Sequence, residues 1–139
     1  MMDRREHLFE VLDNLIRIRN ECSGMIFAEC GLADLTARQI AYLQTIGEEE
    51  DLTPGRFAEI TGNSKPTITG MVDRFVLMAC VQRERCPGDG RIQYIRLTQK
   101  GQEVAMAEDA ALRRVIERME EVLDEDDLDL LIRLLRKVR

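Results

Sequence analysis

Apolar residues recur three or four positions apart from Arg4 to about Glu29: Leu8, Val11, Leu12, Leu15, Ile18, Cys22, Met25 and Ile26. That period, held longer than an average helix, predicts one long amphipathic helix with a broad apolar face. Leu35-Thr36-Ala37-Arg38-Gln39 then carries a capping box, in which the Thr36 side chain accepts from the Gln39 amide while the Gln39 side chain reaches back. A second helix follows from there to about Gly47. The run Glu48-Glu49-Glu50-Asp51 reads as a solvated loop, and Thr53-Pro54 as the start of a third helix with proline in its first turn.

The third helix is short, because Thr61-Gly62-Asn63 interrupts it after about two turns. Ser64 then caps a fourth helix whose first turn tolerates Pro66. Two helices joined by a three-residue turn containing glycine have the form of a helix-turn-helix. The small Ala58 sits where the two helices would cross, Gly62 in the turn, and Ile68 where a side chain should point back into the core. Next, Cys80 to Arg85 and Arg91 to Leu97 alternate apolar with polar around Pro87-Gly88-Asp89-Gly90, which predicts a hairpin packed beside the helix-turn-helix. A fifth helix begins at Thr98 and carries Val104, Ala107, Ala111, Val115, Met119 and Val122 on one face. Asp124 caps a sixth with Leu128, Leu131, Leu135 and Val138. The end helices hold more apolar positions than so small a domain can cover, which favours pairing with the same helices of a second copy.

Composition adds to this mainly through charge. The 139 residues make one domain's worth of chain, 45% hydrophobic, with no run approaching the roughly 18 apolar residues of a membrane span. The charged start at Met1-Met2-Asp3-Arg4-Arg5-Glu6 is unlike an export signal, so a soluble, cytoplasmic protein is expected. Cys22, Cys30, Cys80 and Cys86 show no C-x-x-C pair and read as reduced thiols. The net charge of -6 argues at first against a polyanion partner. By segment, however, residues 52–101 carry 8 basic and 4 acidic side chains, whereas residues 1–51 and 102–139 are both acidic. Phosphate attraction acts over about 8 Å at physiological salt, so the local field decides, and the helix-turn-helix with its hairpin is the basic part.

On the fourth helix, Ile68, Val72 and Phe75 share the inner side, and Pro66, Thr67, Thr69, Gly70, Asp73 and Arg74 lie around the rest. A helix fits the major groove, where threonine meets a thymine methyl or a base edge and lysine or arginine meets guanine or a phosphate. Ser64, Lys65, Pro66, Thr67, Thr69, Gly70 and Arg74 are the candidate contacts of the helix, with Gly70 letting its backbone approach closely. Arg85, Asp89 and Arg91 are the candidates of the hairpin. An arginine on a protruding turn can enter the narrow minor groove, and Asp89 can hold the guanidinium in place.

Leu35-Thr36-x-x-Gln39, Phe57-Ala58-Glu59, Ser64-Lys65-x-Thr67-Ile68-Thr69-x-x-Val72-Asp73-Arg74, Asp89-x-Arg91 and Leu97-Thr98-x-x-Gly101 together resemble the MarR family of winged helix-turn-helix transcriptional regulators. The resemblance implies a mainly α (α+β) fold. An N-terminal dimerisation helix (1–34) would precede a winged helix-turn-helix with a two-stranded wing (35–101), and C-terminal dimerisation helices (102–139) would follow. It also implies a homodimeric repressor on a pseudo-palindromic operator in double-stranded DNA, released by a small phenolic or anionic effector. Arg17, Met25 and Tyr42 are the candidate lining of an effector pocket. Two positions depart from the family pattern. Ala79 replaces the usual glycine at the end of the recognition helix, which predicts a different helix end, and Gly70 replaces a commonly polar or basic residue.

Other functions find less in the sequence. The single histidine, His7, opens the first helix, and no serine or cysteine has a base near it in sequence, so neither an enzyme nor any cofactor is expected. One histidine and scattered cysteines form no metal set of recognised spacing. A cysteine-based redox-sensing repressor remains as one alternative, with Cys22 on the apolar stripe and Cys86 beside the hairpin turn. A winged helix that binds only proteins is another.

Overall fold

Helix α1 spans Arg4–Glu29, as the period predicts, in a computed structural model that describes all residues from Met1 to Arg139. Helix α2 (Ala37–Glu48) begins with the capping box in place: the Gln39 amide donates to Thr36 Oγ1 at 3.1 Å and the Thr36 amide to Gln39 Oε1 at 3.0 Å. Thr53 caps α3 (Pro54–Thr61), with Pro54 in the first turn, where its missing N–H costs nothing. Gly62 ends α3 in the left-handed region, φ 70° and ψ 18°, which a side chain would disfavour. Its conformation aims the chain at Ser64, the cap of α4 (Lys65–Leu77).

Helix α4 ends differently from the expectation. Ala79 adopts the left-handed conformation that a glycine would take, φ 60°. The Cys80 amide donates to the Phe75 carbonyl and the Ala79 amide to that of Val76, both at 3.0 Å. This is the paired closure of a Schellman motif, and those two bonds hold the alanine in a conformation it resists. The end is therefore of the glycine kind, without the glycine.

Strands β1 (Val81–Cys86) and β2 (Asp89–Leu97) form the antiparallel wing, with Val81 opposite Leu97 and Arg83 opposite Ile95. The turn is tighter than the sequence implies, only Pro87 and Gly88. Cys86 pairs with Asp89 while Arg85 pairs with Gln93, so Gly90, Arg91 and Ile92 are surplus residues on β2, a bulge at the tip. The Ile95 amide also donates to the Leu52 carbonyl at 2.7 Å, which ties the loop after α2 to the wing.

The single helix expected from Thr98 to Val122 is two: α5 (Gln99–Ala105) and α6 (Ala107–Val122), divided at Met106 with φ -95° and ψ 0°. Gln44 of α2 donates its Nε2 to the Ala105 carbonyl at 3.4 Å, and a side chain entering the carbonyl ladder is a recognised cause of such breaks. Asp124 caps α7 (Glu125–Leu135) through its Oδ1, which accepts the Asp127 amide.

Two compact units result, residues 24–107 and residues 1–23 with 108–139. The first is built around Leu43, Leu52, Phe57, Ile68, Val72, Phe75, Cys80, Ile95 and Val104, all nearly sealed from solvent. Burying each phenylalanine contributes on the order of 2 kcal/mol, so Phe57 and Phe75 fix the α3 to α4 crossing that aims the outer face of α4. The second unit is different. Phe9, Val11, Leu12 and Ile16 on α1, Leu112 and Ile116 on α6, and Ile132, Leu134 and Leu135 on α7 are exposed. No helix is long and apolar enough to cross a membrane.

Candidate nucleic-acid interface

Seven residues of the helical candidate set lie at or on the outer side of α4. Ser64, Lys65, Pro66, Thr67, Thr69, Gly70 and Arg74 are all exposed, while Ile68, Val72 and Phe75 are turned inward. This division follows from the 3.6-residue period, because the core takes one stripe and leaves the rest to solvent. The hydroxyls of the first turns make local bonds: Ser64 Oγ and Thr67 Oγ1 are 2.9 Å apart, and Thr69 Oγ1 donates to the Lys65 carbonyl at 3.0 Å. Both threonines remain exposed. A Cβ at Gly70 would meet no atom within 4 Å, so the space beside it is open.

The wing presents its candidates around the bulge. Asp89 Oδ1 accepts the Arg91 amide at 3.0 Å and stands 3.5 Å from Arg91 Nε. The carboxylate thus fixes the base of the arginine while its side chain remains 95% exposed. Arg85, at the end of β1, is exposed as well.

The ion pairs of the segment decide where its charge is felt. Its four carboxylates are all engaged: Glu59 with Arg56, Asp73 with Arg83, Glu84 with Arg96, and Asp89 with Arg91. Arg96 is shared further with Asp51 at 2.8 Å, and these two carboxylates raise its pKa. Lys100 donates to the Met78 carbonyl. Lys65, Arg74, Arg85 and Lys100 have no carboxylate within 4.0 Å; the first three lie on α4 and the wing, where Arg91, although paired with Asp89, is exposed as well.

The residues considered for an effector fall on different surfaces. Arg17 pairs with Asp13 at 4.0 Å along an open stretch of α1, and Met25 is exposed. Tyr42 lines a cavity of about 490 Å³ between the start of α2 and the flank of α4. There its hydroxyl accepts from Arg38 Nε at 2.9 Å and from Asn63 Nδ2 at 3.1 Å, and the Asn63 and Arg38 bonds together pull the phenol below its ordinary pKa. Arg38 and Asn63 were absent from the sequence candidates. The i, i+4 spacing of Arg38 and Tyr42 was visible, but Asn63 reaches them only through the fold.

All four cysteines are free thiols. Cys80 is buried and the others are partly exposed. Burial pushes the Cys80 and Cys30 thiols up, with Glu103 adding to the rise at Cys30. Cys86 moves the other way, because the Tyr94 hydroxyl and the amides of Gly88 and Asp89 favour its thiolate. No cluster of three or more histidine, cysteine, aspartate or glutamate side chains is placed to hold a metal.

A two-stranded wing beside two helices that cross over a glycine turn, with free cations on both, defines a winged helix-turn-helix protein. Residues 33–92 match the MarR family. The fold recurs in an S. aureus MepR variant (15% identity, TM-score 0.70, 98% of this chain and 93% of that one). It recurs also in a probable transcriptional regulator from Pseudomonas aeruginosa (26% identity, TM-score 0.52, 95% and 99%). A third similar structure is a mutant MarR from E. coli complexed with operator DNA (24% identity, TM-score 0.54, 99% and 99%). No curated protein matches the chain in sequence. Residues 33–92 are thus similar to the MarR family, and nearly the whole chain shares the winged-helix fold of these regulator structures.

Proposed function

We propose that this chain acts in the cytoplasm as a homodimeric repressor that reads a pseudo-palindromic operator with α4 in the major groove and the wing in the flanking minor groove. The observation that carries the reading is the arrangement of charge in residues 52–101. Every carboxylate there is matched by an arginine, and of the four cations left over three, Lys65, Arg74 and Arg85, lie on the two elements that would face DNA, the fourth being Lys100 on α5. On this reading Lys65 and Arg74 meet phosphates or guanines, Thr67 and Thr69 meet base edges, and Arg91 enters the minor groove with Asp89 holding its base.

Dimerisation is supported by the exposed apolar residues of α1, α6 and α7, which a second copy would cover. A two-fold dimer would present two recognition helices, and palindromic half-sites are the matching DNA symmetry. Release by a small phenolic or anionic effector rests on the family resemblance. The reading is tested by selecting bound sequences from random duplex DNA and titrating the winner against salt. An inverted repeat should emerge, and log K should fall with log salt by about 0.9 per phosphate neutralised. Absence of any duplex binding at low salt would leave a protein-binding module instead.

A further inference from the structure

The cavity beside α4 holds polar groups whose bonding is incomplete. Tyr42 Oη accepts two hydrogen bonds, from Arg38 and Asn63, which fills its acceptor positions and leaves its own proton to give away. No protein acceptor takes that proton, and the cavity wall contains no carboxylate. Arg38 and Arg74 both line it, and neither has a carboxylate within 4.0 Å. The ring is held rigidly, edge-on to Phe57 at 6.0 Å and under the Arg38 guanidinium at 5.6 Å. A preset hydroxyl donor between two uncompensated guanidiniums is complementary to an oxyanion. Thr67 and Gly70 form the α4 side of the same opening, so an anion there would lie against the helix that carries Lys65 and Thr69.

We propose that this cavity seats a phosphate of the DNA backbone, held by Arg38 and Tyr42, so that the DNA interface extends from α4 and the wing onto the start of α2. This rests on the reading of the chain as a DNA-binding protein. Asn63, in the turn of the helix-turn-helix, positions the Tyr42 hydroxyl and registers α2 against α4. A phosphate contact of this kind sets how the protein sits on the duplex and carries no sequence preference of its own.

The test uses the full-length chain and its selected operator, with each backbone phosphate in turn replaced by an uncharged methylphosphonate. The wild type should lose about tenfold in affinity at a phosphate beside the bases faced by α4, the usual scale for a hydrogen bond to a charged group. Arg38→Ala and Tyr42→Phe should lose a similar factor on the natural duplex and become indifferent to that one replacement. Their preference for operator over random duplex should stay as in the wild type, and for Arg38→Ala the salt slope should fall by about 0.9 for each subunit. Tyr42→Phe keeps the ring on Phe57, and its thermal melt checks that the fold is intact. Wild-type affinity in both variants while Arg91→Ala binds weakly would overturn the proposal and leave DNA binding standing. Lost affinity with the methylphosphonate sensitivity unchanged would overturn it too, as an indirect effect. A wild type indifferent to every methylphosphonate, yet competed by inorganic phosphate better than by chloride at equal ionic strength, would assign the cavity to a free anion instead. A wild type that binds no duplex would remove both readings together.

Discussion

Asp73, the one acidic residue of the recognition helix, is ion-paired through Oδ1 with Nη2 of Arg83 on the first wing strand. The pair ties helix to wing and, on the proposed reading, cancels a negative charge that would otherwise face the phosphates. Exposed pairs of this kind contribute only about 0–1 kcal/mol to stability, so the effect belongs to binding. Arg83→Ala should weaken operator affinity several-fold by leaving Asp73 uncompensated. Asp73→Asn should tighten binding to operator and random duplex alike. Both should melt within about 3 °C of the wild type. Titrations with the two duplexes, alongside thermal melts, check all three.

Ala79 stands in the left-handed region at φ 60°, which costs an L-residue about 1–2 kcal/mol. Ala79→Gly relieves this, partly offset by the freedom glycine adds to the unfolded chain. A net gain of about 1 kcal/mol, or roughly 3 °C in Tm, is expected in a chain of this length. A fall in Tm would show that the Schellman closure does not constrain this position.

A Cβ on Gly101 would overlap the backbone carbonyl of Cys80, which cannot give way as a flexible side chain would. The contact is close because Thr98 both caps α5 and donates from Oγ1 to the Ala79 carbonyl at 2.5 Å, which pulls the start of α5 onto the end of α4. Gly101→Ala should cost about 3 kcal/mol and displace the wing, seen as a lower urea midpoint and a loss of operator binding.

Arg91 and Arg136 are both exposed arginines, one at the wing tip and one at the end of α7. Arg91→Ala should reduce operator affinity about tenfold, whereas Arg136→Ala should leave it unchanged. Asp89→Ala should fall between them, since it removes the brace and leaves the cation. Equal losses at Arg91 and Arg136 would refute the minor-groove role of the wing.

Tyr94 and the turn amides lower the Cys86 pKa below that of an ordinary thiol, whereas burial raises those of Cys80 and Cys30. The sign is that of a group charged more readily in the folded state, so the thiolate of Cys86 appears at lower pH than in the unfolded chain. Iodoacetamide at neutral pH should alkylate Cys86 before Cys30 and Cys80, and Tyr94→Phe should slow it. Peroxide treatment that leaves operator affinity unchanged would dispose of a redox role for this thiol.

How far the sequence could be read depended on the range of the forces involved. The caps at Thr36, Thr53, Ser64 and Asp124 are local bonds between a side chain and an amide three residues on, and each lies where the sequence puts it. The break at Met106 was hidden because Val104, Ala107, Ala111 and Val115 keep helical spacing straight through it. The one side chain that meets the carbonyl ladder there, Gln44, lies 61 positions before Ala105, its acceptor. The Arg38, Tyr42 and Asn63 cluster was likewise invisible, since it joins α2 to a turn 21 residues beyond Tyr42. Ala79 shows the opposite failure. Its residue type spoke for another helix end, and two backbone bonds prevailed over that preference.

The bulge at Gly90, Arg91 and Ile92 gives the wing tip slack. Below it the ladder from Val81 with Leu97 to Arg85 with Gln93 is continuous and anchored to Leu52. The three surplus residues therefore stand outside the pairing of that ladder. On the proposed reading Arg91, braced at its base by Asp89, meets grooves of different width through its exposed side chain while α4 keeps its place. Operators that differ in the flanking sequence should then be ranked chiefly by what α4 reads, and the wing should set how long the protein remains.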